Sequence, residues 1–395
     1  MDFETLKALE HDNVMQTYGR FDLALDHGQG STLYDSEGNA YIDLASGIGV
    51  NALGHNDPDL IAAISNQAAK LMQASNLYYT EPMVLAAQKL NTLSGMDKVF
   101  FANSGAEANE GLIKIARKYS WDTYHDPNRM IILTLKNSFH GRTIATLEAT
   151  GQDKFHQNFF PFTEGFEYVQ ANNIEDLKQA MANPNVCGLM MELVQGESGV
   201  RPLDPQFVEE AAKLCQEKDV LLMIDEVQTG IGRTGKFFAY QNYDLSPDLV
   251  SCAKGLGGGI PIGAVLTNEK TSQVLKAGDH GTTFGGNPLS TAAANVVLDK
   301  VGQEDFLNEV QAKGRYFLEG LKAIDSDAIL DVRGLGLMIG VEVGPEHIAE
   351  YLKALQDQGV LAIKAGAGTI RLLPPLVLTY PEMDQAIAAF KEVLA

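Results

Sequence analysis

The central part of the chain alternates between apolar runs of strand length and segments with helical periodicity. The runs begin at residues 98, 129, 186, 220, 248 and 263, and read KVFFAN, RMIILTL, VCGLMMELV, VLLMIDEV, DLVSCAK and GAVLTN. Apolar residues at helical spacing lie between runs, at 105–120 and 205–219. Continuous apolar strands are typical of strands buried on both faces, and helices between them connect parallel neighbours. The pattern predicts an α/β fold with a large, mostly parallel sheet and helices on both faces.

The two ends of the chain follow a different pattern. Within residues 21–45, two alternating runs flank the turn sequence DSEGN, which predicts a β-hairpin. After Pro288, helical segments and short strands predict an α+β region. We expect residues 49–287 to form the large domain. We expect residues 1–48 and 288–395 to form a smaller α+β domain built from both chain ends.

Charge and cysteine content limit the class of partner. The chain has 395 residues and a formal net charge of -21, which repels nucleic acid and anionic membrane surfaces. Its three cysteines lie far apart and form no C-x-x-C pattern, as is typical of a reducing compartment. The first residues show no targeting peptide, and no stretch is apolar enough to span a bilayer. We expect a cytoplasmic protein that binds neither nucleic acid nor membrane.

Lys254 is the only charged residue in the sequence SCAKGLGGGIPIG. It follows a predicted buried strand and precedes a glycine-rich stretch. Burying an unpaired ammonium is costly, so such a lysine is usually neutralised or used chemically. An apolar pocket lowers the pKa of a lysine, and the free amine can attack a carbonyl to form a Schiff base.

Two further features belong with this lysine. Asp225 ends the apolar run VLLMI, and ligands of open α/β sheets bind beyond the carboxyl ends of strands. Ser104 and Glu107 have capping-box spacing, and Gly105 and Ala106 leave the first N–H groups of the predicted helix open to a phosphate. Each feature alone is more often structural. Together they are the parts of a pyridoxal phosphate site.

The glycine-rich sequence GIGRTGKF, at 230–237, has a competing interpretation. It matches G-x-G-x-x-G and nearly matches a P-loop. However, Phe237 stands where a P-loop needs Ser or Thr, and Asp225 and Glu226 lie just upstream, where they would repel a pyrophosphate. No helical pattern follows, so we interpret the segment as a tight loop. The eight histidines show no metal-ligand spacing, and we predict no metal site.

Six segments resemble the class III, fold type I, pyridoxal-phosphate aminotransferases: NSGAEANE, SFHGRT, QGE, DEVQTGIGRTGKF, AKGLGGGIPIGA and TTFGGNPL. The resemblance covers essentially the whole chain. It implies a fold type I transferase, pyridoxal 5′-phosphate as cofactor, 2-oxoglutarate as amino acceptor and a homodimer with shared active sites. VNALGHNDP, SNLYY and the chain length are most similar to members that act on acetylornithine in arginine biosynthesis. Ornithine, succinylornithine and 4-aminobutyrate are the alternative donors.

The resemblance also implies roles for individual residues. Lys254 would bind the cofactor aldehyde, and Asp225 would pair with the pyridinium nitrogen. The other implied cofactor contacts are Ser104, Gly105 and Ala106 at the phosphate, Phe139 and Val227 on the two ring faces, Gln228 near the ring hydroxyl, and Thr283 at the phosphate of the neighbouring subunit. The implied substrate contacts are Arg142 for the donor α-carboxylate, Arg371 for a carboxylate of 2-oxoglutarate or glutamate, Thr282 near the substrate, and Glu197, which would pair with Arg371 when a cationic side chain occupies the site.

Three alternatives of other kinds remain. An aminomutase would use the same cofactor without a 2-oxo acid acceptor. A nucleotide-binding protein would use GIGRTGK. A non-catalytic binding protein could share the aminotransferase scaffold, although the complete set of Lys254, Asp225 and Arg142 argues against it.

Overall fold

The computed structural model describes all of residues 1–395. In chain order the helices are α1 (Phe3–Asn13), α2 (Ser46–Gly49), α3 (Pro58–Lys70), α4 (Glu81–Ser94), α5 (Gly105–Tyr124), α6 (Ile144–Ala149), α7 (Ile174–Ala180), α8 (Pro205–Lys218), α9 (Pro288–Val301), α10 (Glu304–Lys322), α11 (Ile348–Asp357) and α12 (Tyr380–Leu394). No helix combines the length and apolarity needed to cross a bilayer.

The strands, in chain order, form four sheets. They are β1 (Leu25–Gln29), β2 (Thr32–Asp35), β3 (Ala40–Asp43), β4 (Lys98–Ala102), β5 (Ile131–Leu135), β6 (Phe166–Val169), β7 (Val186–Met191), β8 (Val194–Gln195), β9 (Arg201–Pro202), β10 (Leu221–Asp225), β11 (Leu249–Cys252), β12 (Gly263–Thr267), β13 (Asp331–Leu335), β14 (Met338–Glu342), β15 (Val360–Leu361), β16 (Ile363–Ala365) and β17 (Thr369–Leu372).

The largest sheet has seven strands in the order β4-β12-β11-β10-β7-β5-β6. Neighbours from β11 to β6 pair in parallel, whereas β12 is antiparallel to both β11 and β4. The connection before β12, residues 253–262, is shorter than the dozen or more residues that a parallel crossover needs, so the chain turns back. The predicted mostly parallel α/β sheet is confirmed, with β12 as the exception.

Both faces of this sheet are buried, as β10 shows. Leu221 and Met223 pack in a core cluster with residues of α5. The alternate residues Leu222 and Ile224 pack in the main core, which includes the buried side chains of α8. Successive residues of a strand point to opposite faces, so the two helices cover the two sides.

The chain ends meet in one of the smaller sheets. The hairpin of β2 and β3 forms as the sequence predicts, and β3 pairs in parallel with β15 from the C-terminal region. A separate four-stranded sheet has the order β13-β14-β17-β16. On this pairing we propose the division predicted from sequence, with residues 49–287 as the large domain and residues 1–48 and 288–395 as the smaller one.

Helix α5 packs closely on the large sheet at Gly111. A Cβ atom added at Gly111 would lie 2.7 Å from Cγ2 of Val265 in β12. We therefore expect Gly111→Val to lower the free energy of unfolding by about 1–3 kcal/mol, because overpacking a core displaces its neighbours. Urea unfolding midpoints measure the effect. Gly19→Val is the control, since nothing lies within 4 Å of a Cβ there, and equal midpoints for the two variants would contradict the close packing.

Candidate active site

A cavity of about 430 Å³ lies at the carboxyl ends of the parallel strands. Side chains from widely separated parts of the sequence line it. The predicted site residues among them are Ser104, Gly105, Ala106, Phe139, Arg142, Asp225, Val227, Gln228 and Lys254. The sheet topology thus brings most of the predicted cofactor site together in one place, as expected for an open α/β sheet.

Asp225 ends β10 and is only 3% exposed. Its Oδ2 accepts a hydrogen bond from Asn109 Nδ2 at 2.7 Å and lies 2.8 Å from His140 Nδ1. Its Oδ1 accepts from the backbone N–H of Val227 at 2.9 Å. Three donors therefore hold the Asp225 carboxylate in one orientation. No lysine or arginine pairs with it, so its negative charge is available to a cationic ring nitrogen.

Two of these partners have no local sequence signal. Asn109 lies four residues after Gly105, on the same face of α5, and its Oδ1 accepts from Ser251 Oγ at 2.6 Å. His140 is buried, and its Nε2 has no hydrogen-bond partner. Only the neighbouring motifs NSGAEANE and SFHGRT mark them, because their partner is 116 and 85 residues away.

Lys254 follows β11 and begins a short 3-10 turn with φ of +43°. Its Nζ makes no hydrogen bond and no ion pair within the chain. Burial lowers the pKa of this amine, and the positive charge of Arg371 lowers it further, while Asp225, Glu192 and Glu197 oppose the change. A lysine with a lowered pKa supplies the free amine that attacks an aldehyde.

The start of α5 forms one of the two bonds of the predicted capping box, and the Glu107 carboxylate accepts from the residue before the cap instead of from Ser104. Ser104 Oγ accepts from the backbone N–H of Glu107 at 3.2 Å, and the Glu107 carboxylate accepts from the backbone N–H of Asn103 at 2.6 Å. The N–H groups of Gly105 and Ala106 have no partner within the chain. This 20-residue helix therefore presents free donors at its positive end, where a phosphate binds.

Gly105 also allows the helix to approach Val227. A Cβ atom at Gly105 would lie 2.6 Å from Cγ1 of Val227, so a larger residue would separate the helix start from the cavity wall. The free N–H groups, the Asp225 carboxylate and the free amine of Lys254 all line the same cavity. These are the three functions that pyridoxal phosphate requires for its phosphate, its ring nitrogen and its aldehyde, so the residues present fit that cofactor.

Arg371 lies in β17 at the edge of the site and is buried. One of its terminal nitrogens donates to Glu197 Oε2 at 2.9 Å and to Gln228 Oε1 at 3.2 Å. Its Nε is buried without a partner. Because Gln228 also lines the cavity, this network connects the predicted substrate arginine to the predicted cofactor site. The structure brings Glu197 and Arg371 together as the resemblance implies.

Arg142 is exposed at the cavity and forms no hydrogen bond or ion pair with the rest of the chain. Its guanidinium carbon lies 5.5 Å from the centroid of the Phe139 ring and 4.4 Å from that of Phe155. Its hydrogen-bonding groups are therefore free to bind a carboxylate.

The two threonines predicted at the site differ. Thr282 Oγ1 accepts from Asn103 Nδ2 at 2.9 Å, and Asn103 lines the cavity. Thr283 is exposed and does not line the cavity, and its backbone carbonyl accepts from the side chain of Gln73. Within one chain, the structure does not bring Thr283 to the site.

Glu192 is a buried acid that no sequence signal points to. Its Oε2 accepts from the backbone N–H of Phe139 at 2.9 Å, and it lines the cavity. Burial raises the pKa of Glu192 to about 7. The charge of His140 opposes this rise, and the charge of Asp225 adds to it. Glu192 therefore fixes the backbone of the residue predicted to stack on the cofactor.

The segment 230–237 is a loop, as interpreted from sequence. Gly232 and Gly235 have φ of +81° and +84°, which favour glycine. Between them the buried Arg233 donates to the carbonyls of Leu337 and Pro374 at 2.9 and 2.6 Å. The glycines therefore serve a turn that joins the large sheet to the C-terminal region, and no helix follows to hold a pyrophosphate. Nowhere do three histidine, cysteine or acidic side chains cluster to hold a metal.

Glu226, next to Asp225, faces away from the cavity into the core. It is fully buried, and its two oxygens accept from Thr229 Oγ1 at 2.6 Å and from the backbone N–H of Tyr240 at 2.9 Å. Burial raises its pKa from 4.5 to about 7. The folded protein therefore holds a proton there that the unfolded chain releases.

This proton makes stability depend on pH. Between pH 4.5 and about 7, the unfolded chain ionises at Glu226 while the folded one does not, so the free energy of unfolding falls as pH rises. The loss is about 3 kcal/mol at most. Glu226→Gln removes this ionisation. The free energy of unfolding of the variant, relative to that of the wild type, should therefore increase as pH rises across this range, as measured by urea midpoints. Glu217→Gln, on an exposed surface, is the control, and a pH-independent difference for Glu226→Gln would refute the effect.

Comparison with known proteins agrees with this geometry. The sequence model of the aminotransferase class-III family matches residues 14–394. The acetylornithine aminotransferase of Haemophilus ducreyi is 50% identical over 397 residues, covering 100% of both chains.

Solved structures share the fold at lower sequence identity. The ornithine aminotransferase of Toxoplasma gondii has a TM-score of 0.96 at 32% identity, covering 100% of this chain and 95% of that one. A second structure of that enzyme shows partial occupancy of PLP at its active site. The N-acetylornithine aminotransferase of Stenotrophomonas maltophilia has a TM-score of 0.85 at 35% identity, covering 98% and 97%. The predicted fold type and family are confirmed, and the chain belongs to the class-III aminotransferases.

Proposed function

We propose that this chain is an acetylornithine aminotransferase of arginine biosynthesis. It transfers the ω-amino group of N2-acetylornithine to 2-oxoglutarate, giving N-acetylglutamate 5-semialdehyde and glutamate. The observation that carries the proposal is the state of the two site arginines: Arg142 has no carboxylate partner, whereas Arg371 is paired with Glu197 at 2.9 Å.

The cofactor is pyridoxal 5′-phosphate, which when bound supplies an electron sink for the carbon that loses a proton. Lys254 Nζ would hold its aldehyde, and Asp225 would keep a proton on its ring nitrogen. The remaining contacts would be the N–H groups of Gly105 and Ala106 with Ser104 at the phosphate, Phe139 and Val227 at the ring faces, and Gln228 near the ring hydroxyl.

Lys254 would also move the proton. Burial lowers the pKa of this amine, so the neutral form that accepts a proton is populated nearer to neutral pH. It would take the proton from the donor carbon that carries the ω-amino group and return it in the transfer step. Asp225, held in orientation by Asn109, His140 and the backbone N–H of Val227, would pair with the protonated ring nitrogen.

The two arginines select the substrates. N2-acetylornithine carries one carboxylate far from the reacting amine, and Arg142 would bind it as a bidentate pair. Arg371 stays paired with Glu197 during that half-reaction. The acceptor 2-oxoglutarate has a carboxylate at each end, so it would occupy both arginines and displace Glu197. Thr282 would lie near the substrate through its bond to Asn103.

We also infer a homodimer. Around Thr283 the surface is apolar and exposed, and Asn76 Nδ2 donates to the carbonyl of Gly285 at 2.8 Å, joining two surface segments. The exposed apolar side chains of these segments are Leu71, Met72, Leu77, Tyr78, Tyr79 and Phe284. Contiguous exposed apolar side chains mark an interaction surface. A second copy would cover this surface, and Thr283 would reach the phosphate site of the partner.

We keep the cytoplasmic location as a proposal, supported by three free buried cysteines.

Donor profiling tests the proposed function. With 2-oxoglutarate as acceptor, we expect the highest kcat/KM for N2-acetylornithine among that donor, N2-succinylornithine, ornithine and 4-aminobutyrate, as the similarity to acetylornithine aminotransferases implies. Lys254→Ala should abolish turnover. A higher kcat/KM for another donor would contradict the substrate, and turnover without any 2-oxo acid would favour an aminomutase.

The Glu197–Arg371 pair should decide between donors. In Glu197→Ala, Arg371 is free to bind the α-carboxylate of glutamate, so single-turnover rates should rise for glutamate relative to N2-acetylornithine by about tenfold. Stopped-flow absorbance of the cofactor measures both half-reactions. Glu209→Ala, on an exposed surface, is the control. An unchanged ratio of the two rates in Glu197→Ala would show that the pair does not act as a switch.

A further inference from the structure

We propose that Phe155 is a positioning residue for substrate recognition: its ring holds the guanidinium of Arg142 where it binds the donor carboxylate. This inference rests on the proposed function, since it concerns the same carboxylate. It is drawn from the contacts of Arg142, which has no polar partner anywhere in the chain.

An exposed arginine side chain without a polar partner needs another contact to hold its conformation. The guanidinium of Arg142 contacts two aromatic rings, with its carbon 4.4 Å from the centroid of Phe155 and 5.5 Å from that of Phe139. Both distances are within the range of a cation–π interaction, and Phe155 is the closer ring. Stacking on a ring restricts the positions that the guanidinium can adopt. It leaves the N–H groups of the guanidinium free for a carboxylate.

The ring of Phe155 is itself held in place from both sides. It lies in the 3-10 turn Asp153–Phe155. Before the turn, Gln152 Nε2 donates to the carbonyl of Ser138 at 2.8 Å. After it, His156 Nε2 lies 3.0 Å from the carbonyl of Leu147. The turn is therefore fastened to the segment that carries Arg142 and to helix α6, and the ring is a fixed support.

Phe155 also contacts the residue predicted to stack on the cofactor. Its ring meets that of Phe139 edge to face, with centroids 5.9 Å apart and an interplanar angle of 67°. Phe139 is held by Glu192 through its backbone N–H. The contacts run from Glu192 to Phe139, then to Phe155 and Arg142. These contacts fix the position of the Arg142 guanidinium relative to Phe139, the residue predicted to stack on the cofactor ring.

A second cation approaches the same ring. Lys154 Nζ lies 4.8 Å from the centroid of Phe155, and Lys154 lines a separate polar pocket. Two positive side chains, Arg142 and Lys154, thus approach the ring of Phe155, and neither has a carboxylate partner in the chain. Their charges attract an anionic group.

The test removes the aromatic face and keeps a large apolar side chain. In the holoenzyme with saturating 2-oxoglutarate, we expect Phe155→Leu to raise the KM for N2-acetylornithine about three- to thirtyfold, with kcat within about twofold, because the lost cation–π contact mainly weakens binding. Phe155→Tyr keeps the aromatic face and should restore the KM. Phe159→Leu is the control, since Phe159 is an exposed phenylalanine of the same segment.

A donor without a carboxyl group separates positioning from a simple wall contact. N-acetyl-1,4-diaminobutane is N2-acetylornithine without that group, and its KM should be the same in wild type and Phe155→Leu. Calorimetry gives a readout without turnover: the Kd of N-acetylnorvaline, which keeps the carboxylate and lacks the amine, should rise by the same factor as the KM. Equal effects on both donors, or no effect on either, would overturn the proposal.

The two proposals fail in different ways. If wild type prefers another ω-amino donor, but Phe155→Leu still loses its preference for carboxylate-bearing donors, then the proposed substrate is wrong and the role of Phe155 stands. If wild type prefers N2-acetylornithine and Phe155→Leu behaves as wild type with both donors, the substrate stands and the role of Phe155 is wrong.

Discussion

The carboxylate of Asp225 is the point where the central strand, helix α5 and the loop after β5 meet. Asn109 reaches it from the helix and His140 from the loop, at 2.7 and 2.8 Å from the same oxygen. Charge-assisted hydrogen bonds of this kind are short and directional. Because the two partners come from different elements, the position of the acid depends on how the helix and loop pack on the sheet. The cavity that this acid lines is also lined by Lys254 and Arg142.

Burial sets the protonation states in this cavity. It lowers the pKa of Lys254 and raises that of Glu192 to about 7, so both groups are shifted toward their neutral forms. Asp225 is held in orientation by three hydrogen-bond donors. The site therefore places a carboxylate of fixed orientation near an amine whose pKa is lowered. Charge on the substrate side is supplied by Arg142 and Arg371, and only the second is already paired.

Local patterns predicted the parts of the site that local structure creates. Asp225 and Lys254 follow buried strands, and the capping box and glycine mark the start of α5. Local patterns did not predict the roles of His140 and Glu192, because these roles arise from contacts with residues 53–85 positions away. The antiparallel direction of β12 was not predicted for a similar reason, because an apolar run does not show which strands it pairs with. Assignment of individual roles to Arg142, Glu197 and Arg371 came from the family resemblance, because an isolated arginine in sequence is more often a surface or structural ion pair.

The identity of the amine that holds the cofactor is the centre of this description. Borohydride reduction of the holoenzyme, followed by proteolysis and mass spectrometry, measures which lysine carries the cofactor. We expect the added mass on the peptide that contains Lys254, and no labelled peptide after the same treatment of Lys254→Ala. Label on a different lysine of the wild-type chain, or no label at all in a cofactor-saturated preparation, would contradict it.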